Sequence, residues 1–83
     1  MNAGARLTLL TREGCGLCDE LLAELSALRA REAAIPGVDL VDVDSDPVLQ
    51  RRWGLKLPVL LLDGALVCTV RLDAPELRRL LRL

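Results

Sequence analysis

Cys15 and Cys18, in the run Cys15-Gly16-Leu17-Cys18, are the residues of this sequence best spaced to do chemistry. A Cys-x-x-Cys unit can exchange disulfides. One sulfur attacks a substrate disulfide as the thiolate, and the other, three residues on, resolves the mixed disulfide that forms. The same spacing also serves metal sites and inert structural pairs. A metal site needs about four ligands. Here the third and last cysteine is Cys68, and the chain has no histidine, so a carboxylate would have to complete the set. Thiol–disulfide exchange is therefore the leading reading, with no metal expected. The missing histidine also excludes a Cys–His dyad and a Ser–His–Asp triad. A thiolate in this chain must be stabilised by backbone dipoles and nearby cations.

The elements around the pair supply such a dipole. Arg6 to Thr11 reads as a strand, apolar on both faces and so central. Gly14-Cys15-Gly16 breaks it, and helical periodicity runs from Leu17 to about Arg31, with Cys18, Leu21, Leu22, Leu25 and Leu28 on one face. Cys15 thus sits at a strand-to-helix junction, where unsatisfied N–H groups and the helix dipole favour an anion. Glu13, Asp19 and Glu20 oppose a thiolate there, and Arg12 offsets them. The expectation is a Cys15 thiol more acidic than a free one, yet less so than in the most acidic oxidoreductases.

The rest of the chain builds a sheet. Pro36-Gly37 ends the first helical region. Val38 to Val43 reads as a strand, and Asp46 caps a short helix with Pro47 at its first position, running through Leu49 and Trp53 to Gly54. Val59 to Leu62 is a short apolar strand. Asp63-Gly64 signals a hairpin, and Ala65 to Leu72 returns with Leu66, Cys68, Val70 and Leu72 on one face. Asp73 and Glu76 have capping-box spacing before a last helix carrying Leu77, Leu80 and Leu81. The order β-α-β-α-β-β-α implies a parallel first pair, an antiparallel last pair, and one four-stranded mixed sheet with helices on its faces. The α/β fold spans one domain, residues 1–83.

Composition narrows the remaining classes. Eighty-three residues are 52% hydrophobic, with a net charge of −1, no Phe or Tyr, and Trp53 as the sole aromatic. No basic footprint or aromatic platform for nucleic acid is present. No apolar run approaches the roughly 20 residues that span a membrane. The first residues lack the basic and apolar regions of a signal peptide, so a cytoplasmic monomer is expected, in a compartment where permanent disulfides are rare. Asp42-Val43-Asp44-Ser45-Asp46 opens like a calcium loop, but Pro47 and Trp53 stand at the Gly and Glu positions. These carboxylates are expected to end a strand and cap a helix. Cys68 is expected in the core, Trp53 at the end of the second helix, and Arg51-Arg52 and Arg78-Arg79 on solvated faces.

Leu9-Leu10-Thr11 followed by Gly14-Cys15-Gly16-Leu17-Cys18 resembles the active-site strand and loop of glutaredoxins, within the thioredoxin superfamily. Val41-Asp42-Val43-Asp44, then Asp46-Pro47 and Leu49, is similar to their second strand and helix start. Leu57-Pro58-Val59-Leu60 resembles the segment with the family's cis-proline, and Asp63-Gly64 their hairpin. The likeness covers nearly the whole chain and is nearest to short bacterial glutaredoxin-like proteins. It implies a thioredoxin-like fold, Cys15 as nucleophile, Cys18 as resolving thiol, and a cis Pro58 beside the disulfide. It also implies that the Leu57 backbone pairs with a bound cysteinyl backbone such as that of glutathione. Arg12 and Lys56 are the candidates for glutathione carboxylates. Asp73 is the candidate for the γ-glutamyl group, with helix capping as its other role. Gly16 and Leu17 replace the family's usual Pro and Tyr, and Arg71-Leu72 stands where a Gly-Gly turn is common.

The expected activity is thiol–disulfide exchange on a protein disulfide or small thiol, re-reduced by glutathione as co-substrate or by a thioredoxin or glutaredoxin reductase, with no bound cofactor. The alternative is a binding module that docks a protein partner or holds a metal or iron–sulfur cluster, with little turnover.

Overall fold

In the computed structural model, which describes residues 4–83, Leu7–Thr11 forms strand β1 at the interior of a four-stranded sheet. Its leucines explain that place, because an interior strand packs both of its faces. Val38–Asp42 (β2) lies parallel to it, with Thr11 opposite Asp42. Val59–Leu62 (β3) lies antiparallel on the other side, with Leu10 opposite Val59. Ala65–Thr69 (β4) completes the order β2-β1-β3-β4. The registers gather Thr11, Asp42, Val59 and Thr69 at one end of the sheet. The cysteine loop leaves β1 at that end.

Helix α1, Gly16–Arg31, buries Cys18, Leu21, Leu25 and Leu28. With Leu77 and Leu81 of helix α3, Ala74–Leu81, its leucines form the larger apolar cluster against Leu7, Leu9, Leu60 and Val67. Helix α2, Pro47–Trp53, covers the opposite face, where Trp53 meets Leu10, Val43 and Val59. Neighbouring residues Leu9 and Leu10 thus serve opposite cores, as strand pleating requires. Arg78 bonds Glu32, tying α3 to the cap at the end of α1, and Arg79 pairs with Glu76.

Turn chemistry matches the sequence expectations closely. Asp63 and Gly64 have φ of 50° and 85°, the double positive φ of a two-residue hairpin loop. Asp63 also ties the hairpin to β1: its Oδ1 accepts the Arg6 N–H at 2.9 Å and its own N–H donates to the Arg6 carbonyl at 2.9 Å. Each carboxylate of the calcium-like run has a structural partner. Asp42 accepts from the Asp44 N–H, capping a 3-10 turn over Val43–Ser45, and Asp46 accepts from the Val48 N–H at the start of α2. That 3-10 turn ends β2 one residue earlier than expected.

The return strand departs most from expectation. It ends at Thr69 rather than Leu72. Leu60 pairs with Cys68 and Leu61 with Leu66, so Val67 is the extra residue of a β-bulge. A bulge breaks the two-residue alternation. Val67 is therefore buried while Leu66 and Val70 are exposed, and Cys68 stays half-buried against the larger cluster. Cys68 thus borders the core rather than filling it.

Val70 then takes φ 70°, and the Arg71 N–H donates to the Thr69 carbonyl at 2.7 Å. This is a γ-turn with a β-branched residue in the left-handed region, which is strained for valine. Glycine adopts that φ without a steric penalty. Val70→Gly is expected to stabilise the protein by about 1 kcal/mol, read as a higher urea midpoint. A lowered midpoint would show that the Val70 side chain contributes more than the strain removes.

Candidate active site

Four residues bend the chain from β1 into α1. The Cys15 N–H donates to the Arg12 carbonyl at 3.2 Å, closing a turn whose third residue, Gly14, has φ 78°. A turn of the type II kind needs glycine at that position. Cys15 then becomes the N-cap of α1: its Sγ accepts from the Cys18 N–H at 3.1 Å, and its carbonyl accepts the Asp19 N–H. A sulfur here takes the place of the oxygen that Ser, Thr or Asp would offer, so the capping geometry is also an anion-stabilising geometry.

The structure holds Cys15 and Cys18 as a disulfide, with Cα atoms 5.2 Å apart. The two cysteines differ in access. Cys18 lies on the buried stripe of α1 at 2% exposure, whereas Cys15 at the helix start is only half-buried. An incoming sulfur can reach Cys15 and not Cys18.

Pro58 is fully buried, follows a cis peptide bond from Leu57, and precedes the first residue of β3. By register it continues opposite Thr11, and its carbonyl accepts the Val70 N–H at 2.8 Å. The cysteine loop, Leu57-Pro58 and the Val70 turn therefore share the same end of the sheet. Leu17 and Val70 are exposed apolar residues of these segments, and Leu55 is exposed two residues before Leu57.

The candidate cations are already engaged. Arg12 Nε and Nη2 donate to the two Asp44 oxygens at 2.7 and 2.9 Å, and Nη1 donates to the Gly54 carbonyl at 3.1 Å. Gln50 adds a third bond to Asp44. Gly54 fits beneath this arrangement because a Cβ there would run into the Gln50 carbonyl and press on Arg12 Nη2. The Lys56 ammonium sits over the Trp53 ring, 5.7 Å from its centroid, and Arg52 lies over the same ring at 4.9 Å. Asp73 caps α3, accepting the Glu76 N–H at 3.1 Å. The reciprocal half of the capping box is absent, because Glu76 turns to Arg79. Burial pushes the Cys68 thiol up, while a hydrogen bond from the Asp73 backbone works against that shift.

The Arg12 hydrogen bonds hold the Asp44 carboxyl below its ordinary value of 3.8. A carboxyl lowered in the folded state adds stability above its unfolded value and loses it as pH falls through the folded one. Wild-type protein is expected to lose stability from about pH 4 downward, and Asp44→Asn to lose less over that window. Urea midpoints from about pH 5 to about pH 2.5 check this, and equal losses in both proteins would contradict it. Among the described residues no group of three or more Cys, Asp or Glu side chains is placed to hold a metal ion, and no helix is long and apolar enough to cross a membrane.

A mixed four-stranded sheet with helices on both faces and a Cys-x-x-Cys pair at the first strand-to-helix junction define the thioredoxin-like α/β class. The match of residues 6–82 to the model of the Glutaredoxin-like domain (DUF836) places the chain in that family. Uncharacterized proteins of Mycobacterium bovis and Mycobacterium tuberculosis are 40% identical over 62 residues, which is 71% of this chain and 64% of theirs. The match thus spans less than two thirds of the length of these relatives.

Among solved structures, the solution structure of protein Ne2328 from Nitrosomonas europaea is similar at a TM-score of 0.81 and 26% identity, covering 92% of this chain and 89% of that one. The X-ray structure of XcR50 from X. campestris follows at 0.59 and 32%, covering 92% and 95%. A mutant thioredoxin from Halobacterium salinarum is similar at 0.56 and 26%, covering 94% and 72%.

Proposed function

We propose that the protein is a glutaredoxin-like thiol–disulfide oxidoreductase that works through Cys15 and Cys18. One observation carries the reading: an accessible sulfur caps a helix and is disulfide-bonded to a buried sulfur one turn inward. In the reduced protein the Cys15 thiolate attacks one sulfur of a substrate disulfide. That S–S bond breaks, a Cys15–substrate disulfide forms, and the other substrate sulfur leaves as a thiolate that takes up a proton. Cys18 then loses its proton and attacks the Cys15 sulfur, releasing the second substrate thiol and closing the internal disulfide. Two electrons have passed to the substrate. A dithiol reductase or two equivalents of glutathione return them. No bound cofactor is needed, since both electrons reside in the sulfur pair.

The substrate chain would lie along the Leu57 backbone next to Pro58, facing the exposed Leu17, Leu55 and Val70. A protein disulfide suits this apolar border. Glutathione is retained as reductant, but Arg12, Lys56 and Asp73 offer little to its charged ends, since each is engaged within the protein.

Cys18→Ala tests the mechanism directly. Alanine is compatible with the buried helical site and removes only the resolving sulfur. Reduced Cys18→Ala protein mixed with a peptide disulfide is expected to accumulate a stable adduct on Cys15, seen by peptide mass, while wild-type protein passes through it. Failure of any adduct to form on Cys15 would refute the assignment. Purification of the protein with stoichiometric metal and no exchange activity would favour a binding module.

A further inference from the structure

Arg12 does two jobs in the fold, and together they bear on Cys15. Its carbonyl opens the turn that ends at Cys15, and its side chain is gripped by Asp44 and the Gly54 carbonyl. The first and last residues of such a turn lie within about 7 Å at their Cα atoms. The Cys15 loop is thereby fastened to the far side of the sheet, at the end of α2. The same grip changes the charge of the loop. Arg12 is the sole cation between Leu7 and Ala27, a stretch that also holds Glu13, Asp19, Glu20 and Glu24. Asp44 neutralises it with both carboxylate oxygens, and Asp42 adds further negative charge nearby.

We propose that Asp44 and Arg12 are positioning residues for Cys15: the Arg12–Asp44–Gly54 clamp fixes the loop that carries the reacting sulfur and offsets the positive charge nearest to it in sequence, rather than offering that charge to a substrate carboxylate. This inference rests on the reading of Cys15 as the nucleophile and adds what limits its reactivity. A clamped Arg12 whose charge Asp44 offsets leaves the helix N-terminus as the main stabiliser of the thiolate. Freeing Arg12 from Asp44 adds a positive charge to the loop, while removing Arg12 leaves Asp44 uncompensated. Both changes break the Arg12–Asp44 pair, yet they move the Cys15 thiolate in opposite directions.

The test measures iodoacetamide alkylation of the fully reduced protein at pH 7, followed on Cys15 by peptide mass, beside thermal melting of the oxidised protein. Asp44→Asn is expected to react about two- to fivefold faster than wild type, and Arg12→Gln slower by a similar factor, as suits partly screened charges. Arg12→Lys preserves the charge but cannot bridge Asp44 and the Gly54 carbonyl with one fork. It is expected to alkylate at nearly the wild-type rate while melting lower. Rates that stay at the wild-type value in all variants, or that fall together in all three, overturn the inference, because a merely structural clamp predicts one sign. Preferential alkylation of Cys18, or none at Cys15 in wild type, instead overturns the reading of Cys15 on which the inference stands.

Discussion

Cys15→Ser is expected to lower disulfide reduction by about a thousandfold or more while leaving the fold in place. The two halves of that expectation have separate causes. A serine hydroxyl is scarcely ionised near neutral pH and cannot form the mixed disulfide, so the first bond-making step is lost. Cys18 cannot substitute for it, because it is 2% exposed on the packed face of α1. Serine is nonetheless among the preferred N-cap residues, and its oxygen can accept the Cys18 N–H that the Cys15 sulfur accepts now. The start of α1 should therefore survive the change. The measurement is reduction of a fluorescent peptide disulfide under excess dithiothreitol, corrected for the uncatalysed rate, with far-ultraviolet circular dichroism as the check on the fold. Turnover within about tenfold of wild type would remove Cys15 from the mechanism. A collapsed spectrum would show instead that the internal disulfide is needed for folding, and the Cys18→Ala adduct then decides the chemistry.

What the sequence made legible follows from the range of the interactions involved. The cysteine junction, the Asp63-Gly64 loop and the caps at Asp46 and Asp73 are settled within a few residues of chain, so spacing alone reveals them. The alternating and helical apolar patterns placed β1 inside the sheet and the leucine stripe of α1 on its core. The partners of Arg12 lie 32 and 42 residues away, and no local pattern connects Arg12 to Asp44 or Gly54. Their engagement alters the candidate site more than any other feature, since Arg12 is, with Lys56, one of the two cations that the sequence offers to a glutathione carboxylate. The β4 bulge was hidden for a related reason. Leu66, Cys68, Val70 and Leu72 alternate correctly for a strand, and only pairing with β3 displaces Val67 inward. Val70 contradicts its own backbone preference, so propensity pointed the wrong way at the position where the strand ends.

Leu9→Ala is expected to have the largest effect on stability, about 3–5 kcal/mol, and to exceed that of Leu10→Ala, at about 2–3 kcal/mol. The comparison is useful because the two residues are adjacent on β1, equally deep, and differ in which core they fill. Leu9 joins the larger cluster, closed by α1 on one side and α3 on the other. A cavity there is enclosed by two helices and can collapse little. Leu10 faces the smaller cluster with Val43, Trp53 and Val59, whose cover is the short α2 and a 3-10 turn. That cover can settle inward and recover part of the loss. A chain of this length has a total stability of about 4–12 kcal/mol, so Leu9→Ala removes a large share of it and can leave the protein partly unfolded at 37 °C. Urea midpoints of both variants with the disulfide kept closed provide the measurement, and a larger loss for Leu10→Ala would invert the ranking of the two cores. The variants should also part in function. Leu10 lies two residues before Arg12, so settling of α2 would move the Gly54 carbonyl and Asp44 relative to the cysteine loop. Leu10→Ala should slow exchange more than its modest cost in stability suggests, whereas the folded fraction of Leu9→Ala should turn over normally.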